Sequence, residues 1–128
     1  MTGPRILVIE DNERNLKLVR DVLRYAGYDV VEARTGEQGV ALAKDDPPDL
    51  VLMDLQLPGM DGIEALNRLR QTAATRAVPV VAVTAFAMKD DRDRALGAGF
   101  DGYLEKPVSV RALPEQVRGF ISGKEAPA

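Results

Sequence analysis

The chain has 128 residues, 45% apolar and 29% charged, which suits one globular domain able to bury a core. Its net charge of −3 argues against nucleic acid, whose phosphates call for a basic face, and no apolar run reaches bilayer-spanning length or follows a signal-peptide pattern. With no cysteine and no histidine, the chain has no disulfide, thiolate or imidazole, so any phosphohistidine must belong to another molecule.

Strand-like and helical patterns then alternate from end to end, which predicts βα units around a parallel sheet. The first strand spans Arg5 to Ile9 and ends on Glu10-Asp11. A helix from Glu13 to Ala26 follows, with Leu16, Val19, Leu23 and Ala26 on one face and Gly27 as its left-handed stop. Leu18, Val22 and Tyr25 widen that apolar arc. Cover by the last helix is the expected reason, and a docking face is the alternative.

The second strand lies near Tyr28 to Ala33. Thr35 to Gln38 has the form of a capping box and starts a helix that stops before Asp45-Asp46-Pro47-Pro48. The third strand, Leu50 to Met53, ends on Asp54 and leads through the turn residues Leu57 to Gly62 into a helix ending near Gln71. Val80 to Val83 forms a fourth strand ending on Thr84, with a helix near Lys89 to Ala98 after it. The fifth strand, Gly102 to Leu104, precedes Lys106-Pro107, and the last helix begins around Ser109 with Pro114 breaking or tightening its first turns. Residues 123–128 read as a short polar tail, giving one domain over 1–128 with its core at about 5–122. The strands read as apolar throughout, as expected when helices cover both sheet faces.

An open parallel sheet places its ligand site just beyond the carboxyl ends of the strands. Glu10, Asp11, Asp54, Thr84 and Lys106 all fall there. Three clustered carboxylates repel one another, so the group calls for a cation, and oxygen ligands of this kind suit Mg²⁺. A carboxylate can also act as a covalent nucleophile and form an acyl phosphate. Lys106 would supply a point charge for phosphoryl oxygens and Thr84 a neutral donor. Each residue taken alone has a plainer role: Glu10-Asp11 as a helix cap, Asp54 as a turn former, Thr84 as a strand residue, Lys106 as a solvated lysine. Their shared edge favours a site.

Glu10-Asp11-Asn12, the run Met53 to Gly62, Val83-Thr84-Ala85 and Lys106-Pro107 together resemble the signature set of receiver domains of two-component response regulators. The resemblance spans about Arg5 to Ser122. Locally, Asn15 and the run Val81 to Lys89 resemble single-domain cell-cycle regulators and the receivers of hybrid kinases. It implies a doubly wound, flavodoxin-like (CheY-like) α/β fold of five βα units, with a five-stranded parallel sheet in the order 2-1-3-4-5. By position, it implies that Asp54 is the phosphoacceptor and that Asp11, Asp54 and the Gln56 carbonyl bind Mg²⁺, which Mn²⁺ can replace. Glu10 would act on the ion through water. Thr84 would be the switch hydroxyl, Lys106 the phosphoryl-binding lysine, Tyr103 the aromatic that turns inward, and Lys106–Pro107 a cis bond.

The implied donor is a histidine kinase or histidine phosphotransfer protein in the cytoplasm, and the implied output is contact with a downstream protein. No effector domain, nucleic acid or membrane is expected. The chain is expected to be a monomer, with a phosphorylation-dependent dimer as the alternative. Gln56 and Phe86 occupy places that set hydrolysis rate in the family, and an apolar Phe86 implies a phosphoryl lifetime longer than in fast chemotaxis-type receivers.

An aspartyl-phosphate phosphohydrolase is the first rival, but its second acid, two residues past the nucleophile, is Gln56 here. A nucleotide enzyme lacks its glycine-rich phosphate loop. A constitutive scaffold or flavin-type module would leave the five site residues unexplained.

Overall fold

Strands that are apolar on both faces need helices on each side, and parallel strands need crossovers to return to the same edge. The computed structural model, which describes residues 3–57, 59–85 and 89–125 with the side chains of 89–91 and 123–125 excepted, meets both needs. In chain order the elements are β1 (Arg5–Ile9), α1 (Glu13–Tyr25), β2 (Asp29–Ala33), α2 (Gly36–Asp45) and β3 (Leu50–Asp54). They continue with α3 (Gly62–Gln71), β4 (Val80–Thr84), α4 (Lys89–Ala98), β5 (Gly102–Glu105) and α5 (Leu113–Glu125). All strand pairs are parallel, in the order β2-β1-β3-β4-β5. The doubly wound fold is as expected.

Side chains alternate across the sheet and divide the core in two. Leu7, Ile9, Val51 and Met53 pack with Val40 of α2 and Leu66 and Leu69 of α3. Ile6, Val8, Leu52 and Val83 pack with Leu16, Val19 and Leu23 of α1 and Leu113 and Val117 of α5. β3 and β4 are buried along their whole length, so both strand ends are held rigidly.

β2 departs from the apolar expectation. It is an edge strand with a neighbour on one side only, and Glu32 faces α1, where it pairs with Arg20 at 3.3 Å and Arg24 at 3.6 Å.

The helix ends show local chemistry at work. Asn12, rather than Glu10 or Asp11, caps α1 by accepting a bond from the Asn15 N–H at 3.1 Å. Gly27, at φ +99°, closes that helix one residue earlier than expected: its N–H reaches Arg24 O and the Tyr28 N–H reaches Leu23 O, so Ala26 becomes an exposed cap. α5 starts at Leu113 instead of near Ser109. Ser109 instead makes a turn, its Oγ accepting from the Ala112 N–H at 3.1 Å, and Pro114 sits in the first helical turn, where a missing N–H costs nothing. α5 also runs on to Glu125, so the start of the expected tail is helical, and Ala126 to Ala128 lie outside the described residues.

Cover by α5 accounts for only part of the wide arc on α1. Val22 is half-buried against the α1–α5 side of the core, whereas Leu18 is 38% and Tyr25 95% exposed.

Candidate functional site

β1 pairs with β2 on one side and β3 on the other, so the chain leaves β1 and β3 in opposite directions and opens a crevice at their carboxyl ends. Register then decides what meets there. Ile9 is level with Met53, so Glu10 and Asp11 emerge beside Asp54. Asp54 is level with Val83, and Thr84 with Glu105, which brings Thr84 and Lys106 to the same edge.

Lys106 is the centre of the arrangement. Its Nζ lies 2.8 Å from Glu10 Oε1 and 3.0 Å from Asp54 Oδ2, and both carboxylate residues are 5% exposed. It is therefore not a solvated lysine beside a turn proline. Its backbone N–H donates to Thr84 O at 2.8 Å, and the Lys106–Pro107 peptide bond is cis. The remaining carboxylate oxygens are also engaged: Asp54 Oδ1 accepts from the Gln56 N–H at 2.9 Å and Glu10 Oε2 from the Asn12 N–H at 3.1 Å. Asp11 is exposed at the rim, and one carboxylate oxygen from each of Glu10, Asp11 and Asp54 lies within 4.8 Å of the others.

The ionisation pattern follows from this packing. Burial pushes the Glu10 carboxyl above the ordinary glutamate range, against the opposing pull of Lys106 and the Asn12 N–H, and the nearby Asp54 pushes it the same way. Burial draws Lys106 down, but its hydrogen bonds to Glu10 and Asp54 outweigh that and leave its pKa raised. The ammonium is thus secure at neutral pH. Three carboxylates and one ammonium leave the site two charges negative, which suits a small hard dication.

Thr84 is buried at 2% exposure at the end of β4. Tyr103 is half-buried against the α2–α4 side of the core. Glu10, Asp11, Asp54 and Lys106 are thus brought together, with Thr84 and the Gln56 backbone adjoining. Phe86 lies outside the described residues. Sequence reasoning missed two donors, the N–H groups of Asn12 and Gln56, which hold the Glu10 and Asp54 carboxylates. Asn12 was recognisable as a polar residue just before a helical pattern; a backbone N–H leaves no trace in residue identity.

The family model for the response regulator receiver domain matches residues 6–118. The chain belongs to this family. As a receiver, it is a signalling switch of two-component systems. Curated relatives include the polar-differentiation response regulators DivK of Brucella ovis and Brucella abortus, each 40% identical over 116 residues, covering 91% of this chain and 94% of theirs. Among solved structures, the receiver domain of sensor histidine kinase PA1611 from Pseudomonas aeruginosa PAO1 matches with a TM-score of 0.87 and 36% identity. That match covers 94% of this receiver and 99% of that chain, whose structure has a magnesium ion coordinated in the active-site cleft. A CheY-like receiver domain protein from Methanospirillum hungatei also matches, with a TM-score of 0.87 and 30% identity over 97% of this chain and 98% of its own. Among the described residues, no helix is long and apolar enough to cross a membrane.

Proposed function

We propose that Asp54 accepts a phosphoryl group from the phosphohistidine of a partner kinase or phosphotransfer protein, and that the acyl phosphate switches this receiver's contacts with other proteins. The observation that carries the reading is Lys106 Nζ, shared between Glu10 and Asp54 in a mostly buried site open at Asp11. A cation fixed beside a strand-end carboxylate can follow the charge when that carboxylate becomes an acyl phosphate.

In the transfer, the donor's phosphorus–nitrogen bond breaks as an Asp54 oxygen bonds to phosphorus, and the imidazole leaves with the electron pair. The transition state is loose, so the protein's task is positioning and charge balance. The Gln56 N–H orients the Asp54 carboxylate. Lys106, already 3.0 Å from Asp54, exchanges one carboxylate for a phosphoryl oxygen. Thr84 donates to another. Asp11, Asp54 and the Gln56 carbonyl would hold Mg²⁺ (or Mn²⁺), with Glu10 acting on it through water; the all-oxygen donor set and the negative balance fit such an ion. When bound, the ion would offset repulsion between the carboxylates and the incoming group.

Movement of Thr84 toward the phosphoryl group gives Tyr103, on the neighbouring strand, space to turn inward and repack α4, β5 and α5. Taking such a two-state element from mostly off to mostly on needs about 5.5 kcal/mol of differential interaction. Charge-assisted bonds at about 1.5–3 kcal/mol each supply much of it. The exposed Leu18 and Tyr25 on α1 fit a docking face for the phosphodonor. The receiver acts as a cytoplasmic monomer in this reading.

Hydroxylamine trapping tests the assignment. After labelling with a small phosphodonor and Mg²⁺, a hydroxamate is expected on the peptide bearing Asp54. A hydroxamate on another acidic residue would overturn it.

A further inference from the structure

Between β3 and α3, residues 55–57 carry the Gln56 N–H that fixes Asp54, and close contacts hold this connection where it leaves β3 and at residues 59–61 before α3. At its return, a Cβ on Gly62 would lie 3.1 Å from Leu55 Cα and 3.3 Å from Asp54 O. At its outer turn, Met60 is 6% exposed and lies over Gly36, the first residue of α2. A Cβ on Gly36 would sit 3.2 Å from Met60 O and 3.3 Å from Met60 Cβ and Sδ, inside the roughly 3.5–4.0 Å of an ordinary carbon contact. Gly36 is not among the positive-φ glycines, so room, not backbone conformation, calls for glycine there. One turn on, Gly39 meets Ile9, which immediately precedes Glu10: a Cβ would lie 2.3 Å from Ile9 Cδ1. The first turns of α2 therefore bear on both halves of the site, the acidic pair through Ile9 and the Asp54 loop through Met60.

We propose that Gly36 is a positioning residue for the phosphoryl site: by leaving room for Met60 it seats the β3–α3 loop so that Gln56 holds the Asp54 carboxylate toward Asp11. This rests on Asp54 being the phosphoacceptor. Close-packed interiors transmit small displacements instead of absorbing them, and Met60 shares its apolar cluster with Leu57, Ile9 and Ala65. A methyl group at Gly36 has to displace Met60, whose backbone carbonyl is the closest atom, by a few tenths of an ångström. The loss then appears at Gln56 and at the metal site, not primarily in the fold.

The test compares Gly36→Ala with Gly119→Ala, a control on α5 whose added Cβ meets nothing within 4 Å. In the metal-free protein, the Gln56 amide of Gly36→Ala should shift in the NMR spectrum and exchange faster with solvent, while the control matches wild type. Mg²⁺ affinity should fall about tenfold, the low end for groups that orient a metal ligand. Adding Met60→Ala to Gly36→Ala should recover most of the lost affinity relative to Met60→Ala alone. A folded Gly36→Ala with an unchanged Gln56 amide and unchanged Mg²⁺ affinity overturns the proposal, as does a loss that Met60→Ala leaves undiminished. If Gly36→Ala does not fold, Met60→Ala alone decides: it should loosen the Gln56 amide, and an unchanged amide refutes the seat. A wild-type protein that takes neither Mg²⁺ nor phosphoryl would instead sink the phosphoacceptor reading itself.

Discussion

Removing the Lys106 ammonium with Lys106→Met tests the electrostatic core of the site. The substitution keeps most of the side-chain volume and strips two buried carboxylates of their shared cation, at 2.8 and 3.0 Å. Breaking a buried ion pair from one side costs about 3–5 kcal/mol. The Lys106 side chain is 17% exposed and Asp11 opens the rim to water, so the lower end, about 3 kcal/mol, is expected near pH 7.5 without divalent ions. Glu10 sets the pH dependence. Its folded-state pKa already lies above the ordinary 4.5, and losing Lys106 removes the main influence lowering it. The folded variant therefore takes up a proton at a pH where the unfolded chain still releases it. The deficit shrinks as pH falls from neutral toward 4.5. Mg²⁺ should shrink it too, because the site without Lys106 is three charges negative, holds the ion more tightly than wild type, and so gains more stability at the same Mg²⁺ concentration. Urea unfolding followed by circular dichroism, at pH 7.5 and 5.5 with EDTA or Mg²⁺, reads all of this. A deficit below about 0.5 kcal/mol, the scale of an ordinary surface substitution, and equal in all conditions would refute the reasoning.

Asn12→Ala removes the α1 cap and should cost about 1 kcal/mol in the same unfolding assay, leaving Asp54 competent for labelling. Tyr25→Ala, at a 95% exposed position, should change stability by less than about 0.5 kcal/mol and leave labelling by acetyl phosphate intact, yet slow transfer from a phosphorylated kinase partner. Equal transfer rates would remove α1 from the docking face. Phe86→Glu should shorten the phosphoryl lifetime measured by decay of the intact-mass adduct, since a carboxylate can orient water where a phenyl ring cannot; a lifetime equal to wild type would contradict that role.

Much of the site was legible because strand ends are legible. Apolar runs bounded by turn residues located Glu10, Asp11, Asp54, Thr84 and Lys106 on one sheet edge, and parallel register did the rest. What escaped depended on tertiary context. Ser109 has the local chemistry of a helix start, but in the structure it makes a turn ahead of Leu113, where α5 begins. The polar exposure of β2 follows from its edge position, which a strand's own composition does not reveal. Leu18 and Tyr25 continue an apolar stripe in sequence, but α5 is not placed to cover them. The contact between Lys106 and Glu10 joins residues 96 positions apart (106 − 10), and no local pattern encodes it.

Intact mass after incubation with acetyl phosphate bears most directly on the central claim. One phosphoryl adduct is expected on the wild-type chain with Mg²⁺, and none with EDTA or in Asp54→Asn. An adduct of equal size in Asp54→Asn, or no adduct under conditions that label another receiver even when a phosphorylated histidine partner is supplied, would contradict it.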